Sequence, residues 1–259
     1  MWDTLSKFIP PLRWVLLLLV LTLVFAITQI PASWAAYFMT QGNTLALSGV
    51  TGTAWSGQAR MSSIEIDNQH YSLGELQWQL KPLTLLSLRP CADVDARLEA
   101  QQIEGRACAG LNGRLTVTDA SIDAPASLVQ AGVPVPVQGQ LSANLQTLSM
   151  KGQSLSELRG NLSWTNARVQ VEGTWATLGS FAAEATYDPE ADALVADVFD
   201  LDGPIDLDAE VRLPLAGGIF VEGELELTGA FSDQIQARDW LPMVLDHQSG
   251  NRYKVDLQF

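Results

Sequence analysis

The feature that most constrains this chain is an uncharged apolar stretch, Trp14 to Ile30, which follows Lys7 and Arg13 near the N-terminus. At about 1.5 Å of rise per residue, a helix over that stretch covers roughly 25 Å, slightly short of the ~30 Å hydrocarbon core of a bilayer. Arg13 can snorkel outward, and Trp2, Trp34 and Tyr37 suit the two interfaces, so the stretch reads as a single transmembrane helix. Its apolar surface comes from Trp14, Leu16, Leu17, Leu18, Leu19, Leu21, Leu23, Phe25, Ile27 and Ile30. The nearby positive charges, Lys7 and Arg13, both precede it. Residues 1–13 are therefore expected in the cytoplasm and everything after the helix on the far side of the membrane. A cleaved signal peptide is the alternative, because Ser33-Trp34-Ala35 before Ala36 offers a small-x-small site. Against it, the apolar run exceeds the roughly 7–15 residues of a signal core. Both readings export the body.

That body is large enough for one large or two small domains with a real core. It is acidic: of the net charge of −14, most comes from Ala131 onward, where 19 acidic residues face 7 basic ones. Such a surface repels nucleic acid and anionic lipid headgroups, so neither is expected as a partner. Cys91 and Cys108 lie in the exported part and, in an oxidising compartment, read as a disulfide closing a short loop. In the chain-entropy model a loop of that size contributes about 3 kcal/mol. No Cys-x-x-Cys and no metal-spaced His/Cys set occurs, so no metal or cofactor is expected.

Beyond a juxtamembrane segment (31–45), whose start through Ser33 to Phe38 reads as a helical continuation, period-two alternation dominates. Leu76, Trp78 and Leu80 alternate with Gln77 and Gln79, Leu141, Ala143 and Leu145 follow the same rule, and Val255, Leu257 and Phe259 close the chain with it. Alternation of this kind turns one face to a core and the other to water. Helical patterns are brief, at Lys81–Leu86, Ala124–Ala131 and Asp239–Leu245. The expectation is a mainly β protein: one N-terminal transmembrane helix (14–30), then an antiparallel β domain (46–259), either one curved sheet or two layers. A recurring Gly-x-Leu unit, at Gly74, Gly113, Gly139, Gly160 and Gly223, is read as the head of successive strands. Val133-Pro134-Val135-Pro136-Val137 marks a soft subdomain boundary, since alternating prolines disfavour a central strand.

Catalysis finds little footing. His70 and His247 have no metal-binding or triad context, and there is neither a Gly-x-Ser-x-Gly elbow nor a phosphate-cradling glycine loop. Two acidic clusters, Asp188–Asp192 and Asp200–Asp208, place carboxylates at alternate positions but lack the EF-hand spacing, and hairpin turns explain them better. Trp55, Trp78, Trp164 and Trp175 read as core anchors.

The segment Gly49-Val50-Thr51-Gly52-Thr53-Ala54-Trp55-Ser56-Gly57, followed by Leu73-Gly74-Glu75-Leu76-Gln77-Trp78-Gln79-Leu80-Lys81-Pro82, resembles the type II secretion system protein N (GspN) family. Gly49, Gly52, Thr53, Trp55 and Gly57 match a Gly-x-x-Gly-Thr-x-Trp-x-Gly signature, and Gly74, Leu76, Trp78 and Pro82 match the segment that follows it. The likeness continues through Leu158 to Trp164 and Gly250 to Tyr253. It implies a bitopic inner-membrane protein of Gram-negative bacteria, accessory and non-enzymatic. Its implied partners are other secretion subunits in the inner membrane and periplasm, and its role is in moving folded exoproteins outward. No small-molecule substrate is expected. Two other classes compete: a tethered periplasmic β-groove that handles lipid, and an outer-membrane β-barrel. The barrel is suggested by the terminal alternation to Phe259 but lacks aromatic girdles.

Overall fold

The computed structural model describes residues 12–41, 45–66, 69–133, 135–152, 154–171 and 173–258. Trp2, Lys7, Pro134 and Phe259 lie outside the described residues. Helix α1 (Leu12–Thr28) is rich in leucine, with valine, alanine and isoleucine beside it and no glycine or proline inside. It stops at Thr28 because Pro31 follows, and a residue before proline is driven to extended backbone. The helical stretch thus ends two residues before Ile30, which belongs to the connection and not to the helix. Every residue from Arg13 to Thr28 is exposed. Among the described residues no helix is long and apolar enough to cross a membrane. Helix α2 (Ala32–Thr40) follows at once, with Ala32 and Ala36 buried.

The rest is a meander. Strands β1 (Leu45–Ser48), β2 (Thr51–Gly52), β3 (Ser56–Ile66) and β4 (Gln69–Leu80) lead to the short helix α3 (Pro82–Leu86). Then come β5 (Cys91–Leu98), β6 (Gln101–Ala109) and β7 (Arg114–Pro125). After a 3₁₀ segment (Ala126–Gly132) follow β8 (Val137–Lys151), β9 (Ser154–Val171), β10 (Thr174–Asp188), β11 (Ala193–Asp202), β12 (Ile205–Pro214) and β13 (Phe220–Leu227). Helices α4 (Gly229–Gln234) and α5 (Ala237–Trp240) and a 3₁₀ turn (Leu241–Met243) precede β14 (Asp246–Ser249) and β15 (Arg252–Gln258).

Among the described residues these form one 15-stranded sheet of antiparallel pairs, in the order β1-β3-β4-β5-β6-β7-β8-β9-β10-β11-β12-β13-β15-β14 with β2 on β3. The body is therefore one sheet, not two layers. Its first and last strands do not pair with each other, so it is not a closed barrel. The proline stretch at 133–137 does not divide it, because β7 and β8 pair directly, from Arg114 opposite Lys151 to Pro125 opposite Gln140. Val137 itself opens β8, and Pro134 lies outside the described residues. Of the Gly-x-Leu units only Gly113 stands at a strand head. The others lie inside strands, and Gly74, with φ +73°, sits where the register of β3 against β4 shifts. Glycine there serves a bulge and not a turn.

Register lines the alternation up across the whole sheet. One row of directly opposed residues runs Ala59, Leu76, Ala96, Ile103, Ile122, Ala143, and continues Leu162, Ala183, Val198, Ala209, Gly223, Val255. It contains no polar side chain. The adjacent row, on the other face, runs Gln58, Gln77, Asp95, Glu104, Ser121, Asn144, and continues Asn161, Glu184, Asp197, Glu210, Glu222, Asp256. One face is apolar along its length; the other is polar and, toward the C-terminal end, a line of carboxylates.

The apolar face is covered at its two ends. At one, Ala32 of α2 packs with Ala59, Leu76, Trp78 and Ala96. At the other, Phe231, Ala237, Leu241 and Leu245 from the α4–α5 region cover Leu227, Tyr253 and Val255. Cys91 and Cys108 are directly opposed on β5 and β6 and are joined as a disulfide, Cα to Cα 4.0 Å.

Candidate functional site

Thr53, Trp55, Gly57 and Trp78 of the signature come together where α1 meets the sheet, whereas Gly49 lies against Arg60 and Gly74 against Arg97 and Leu98. A helix leaves its last carbonyls without intrahelical donors. Here the Trp55 indole N–H donates to the Ile27 carbonyl (2.8 Å), and the Ala54 N–H donates to the Ile30 carbonyl (2.8 Å). Pro31 pairs with Thr53 as an isolated bridge. The loop that presents these donors is held in turn: the Thr53 N–H bonds the Ser56 carbonyl (2.9 Å), and the Ser56 N–H bonds the Thr53 hydroxyl (3.2 Å). From β4, the Leu80 N–H donates to the Trp55 carbonyl (2.7 Å), and the Trp78 indole N–H donates to the Ala54 carbonyl (3.2 Å). Trp78 is 4% exposed. Gly57 lies directly opposite it, and a Cβ on Gly57 would stand 2.4 Å from the indole. The spacing Trp-x-Gly on β3 against Trp on β4 is thus a single packing unit: the glycine makes room for the indole, and the indole props the loop that grips the helix.

Pro82 opens α3, where its missing N–H costs nothing. Beside it, Asp93 accepts from Lys81 (2.8 Å) and Arg106 (2.8 Å), joining β5 and β6 to the end of β4. The Lys81 ammonium above all, helped by the Arg106 guanidinium, holds the Asp93 carboxyl below its ordinary range against the opposing effect of burial.

The other expected site residues scatter. Of the four tryptophans read as core, only Trp78 is buried; Trp55 and Trp164 are half-buried and Trp175 is exposed, because Trp175 alternates with buried Ala176 and so faces outward. The His247 Nε2 lies 3.1 Å from the Gly250 carbonyl and its ring meets Tyr253 edge-on, whereas the His70 side chain lies outside the described residues. Asp188 accepts from the N–H groups of Glu190 (2.8 Å) and Ala191 (3.3 Å), and Asp200 accepts from that of Leu207 (3.0 Å), so both acidic clusters shape hairpins. Among the described residues no three His, Cys, Asp or Glu side chains are grouped to hold a metal.

A second feature was not signalled by any motif. Val169, Ala176 and Leu178 of β9 and β10 pack with the α4–α5 region, and beside them, across β7–β11, the apolar face opens into a groove of about 440 Å³ lined by residues such as Ile122, Leu141, Leu162, Trp164, Phe181 and Val198. The alternation of each strand announced an apolar face; that the middle of it has no cover is visible only in the assembled sheet.

A single antiparallel sheet clasped through two tryptophans to an apolar N-terminal helix defines a mainly β protein. The family model for type II secretion system (T2SS), protein N matches residues 43–255, and the chain belongs to that family. A protein named type II secretion system protein N from Aeromonas hydrophila is 30% identical over 159 residues, covering 58% of this chain and 61% of that one. Its namesake from Vibrio cholerae serotype O1 is 28% identical over 167 residues, covering 62% and 64%. The matched stretch thus spans about three fifths of the length of each of these relatives. No solved structure gives a significant match.

Proposed function

We propose that this protein is an accessory, non-enzymatic component of the type II secretion system, tethered to the inner membrane by α1. In this reading the N-terminus is cytoplasmic, the sheet is periplasmic, and the protein works with other secretion subunits to support export of folded exoproteins. The observation that carries it is the clasp: the family signature is spent on joining the apolar helix to the sheet, which is what a permanent tether requires. A helix apolar on all sides needs either a protein core or lipid around it, and α1 is exposed from Arg13 to Thr28. Its shortfall against the bilayer is of the order that snorkelling and local thinning absorb at modest cost. Cleavage between Ala35 and Ala36 would cut α2 in two and remove Ala32, 2% exposed, from the core. The sheet edges at β1 and β14 offer main-chain groups to which strands of other subunits can add.

The test is a deletion strain of the bacterium that carries the gene. Exoproteins are expected to accumulate in its periplasm, with secretion restored by the full chain but not by a version lacking residues 1–30. Normal secretion by the deletion strain overturns the role. A mature N-terminus at Ala36 in the membrane fraction overturns the tether.

A further inference from the structure

We propose that the open middle of the apolar face seats an acyl chain of a membrane phospholipid. The groove floor follows the uninterrupted row Ile122, Ala143, Leu162, Ala183, Val198, one residue from each of β7 to β11. Ile122 and Leu162 are 42% and 48% exposed, and Leu128 and Val129 of the 3₁₀ segment line the same groove. An exposed apolar face of this kind is stabilised by whatever removes it from water.

Dimensions select the occupant. From β7 to β11 is four strand spacings, ~19 Å at about 4.8 Å each. One leaflet of a hydrocarbon core about 30 Å thick is ~15 Å deep, so a chain at its bilayer length lies along the row. An α-helix about 10–12 Å wide with its side chains meets an open groove with one face only and leaves the rest of its surface outside it. An added strand has nothing to bond, because the main-chain groups of β8, β9 and β10 already pair on both sides. A second copy of the sheet cannot lie flat on the face, since α2 and the α4–α5 region stand on it at either end. A threadlike apolar group has none of these obstacles. Its headgroup lies outside the groove, where the acidic balance of the chain favours a zwitterionic head over an anionic one. The supply of lipid from the bilayer rests on the tether proposed above; the groove itself does not.

Three variants of the full chain, Phe181→benzoylphenylalanine in the groove, Phe199→benzoylphenylalanine on the opposite face of the sheet and Phe25→benzoylphenylalanine on α1, separate these claims by photo-crosslinking in living cells. Each replaces one aromatic ring by another. Cells are labelled with radiophosphate or with radioactive acetate before irradiation. Position 181 is expected to carry several-fold more radiophosphate than position 199. Equal labelling at the two, a crosslinked dimer or a protein adduct at 181 in place of lipid, or no adduct at 181 overturns the groove. Acetate label at 181 without radiophosphate overturns the phospholipid as the source and indicates free fatty acid. Position 25 reports on the tether alone: labelled lipid at 181 but none at 25 sinks the tether and leaves the groove, and the converse sinks the groove and leaves the tether.

Discussion

Replacing Gly57 with alanine drives a methyl group into the indole that props the helix clasp. The built Cβ lies 2.4 Å from Cζ2, 2.8 Å from Cε2 and 2.9 Å from Cη2 of Trp78, contacts that real atoms do not tolerate. Neither partner has room to yield. Trp78 is 4% exposed and its N–H is bonded to the Ala54 carbonyl, while Gly57 is fixed in the β3–β4 ladder. Overpacking of a filled core costs about 1–3 kcal/mol, and displacing the indole forfeits a hydrogen bond with a net value of about 0.5–1.5 kcal/mol. Gly57→Ala is therefore expected to destabilise the chain by about 2–4 kcal/mol. Urea unfolding of the purified full chain in detergent, followed by tryptophan fluorescence, measures this. The sharper readout is a double-mutant cycle with Trp78→Leu. If the clash is the cause, the second substitution removes the atoms that the methyl strikes, and the double variant loses less than the sum of the single ones by about 1–2 kcal/mol. Additive losses, or a cost for Gly57→Ala below about 0.5 kcal/mol, the usual scatter of independent sites, would refute the reasoning.

Asp93→Asn is expected to cost no more than about 1 kcal/mol at neutral pH, because all three partners are partly exposed. Asp93 has a lowered native pKa, so its contribution is present above the unfolded value near 3.9 and is lost as pH falls through the native one. The stability gap between wild type and variant should close as unfolding is repeated from neutral pH to below about pH 3.9, and a constant gap speaks against the pair. Glu222 stands directly between Glu210 and Asp256 in the carboxylate row. Like charges so placed are destabilising by about 0.2–1 kcal/mol per pair, so Glu222→Gln should raise the unfolding midpoint at low salt and lose its advantage as salt is added. A lower midpoint contradicts this. The Tyr253 hydroxyl is fully buried with no hydrogen-bond partner among the described residues. An unpaired hydroxyl costs about 1–3 kcal/mol, so Tyr253→Phe should be as stable as wild type or more so in thermal melts, and a marked loss would reveal a partner.

Much of this protein is legible in its residues because period-two alternation is local. Leu76-Gln77-Trp78-Gln79-Leu80 is bound to show two unlike faces whatever it pairs with, and the proline at 31 is bound to end a helix before it. The apolar helix, the β body, the cysteine pair and the Gly-Thr-x-Trp-x-Gly signature could all be read in that way. What the signature does could not: Trp55 reaches Ile27 and Trp78 reaches Ala54 across 28 and 24 positions of chain. The joining of strands was equally hidden. Val133–Val137 looks like a break from its prolines, yet β7 and β8 on either side of it pair along their length. Whether a face is covered depends on which distant segments fold back over it. Helix α2 covers one end, the α4–α5 region covers the other together with Val169, Ala176 and Leu178 of β9 and β10, and among the described residues the row from Ile122 to Val198 is left as an open groove, a difference set by long-range packing that no window of sequence contains. An apolar helix and a two-faced β chain follow from neighbouring side chains and are set before any long-range contact forms. The clasp of Trp55 and Trp78 on the end of that helix, and the groove left open beside the α4–α5 cover, come from contacts between distant segments.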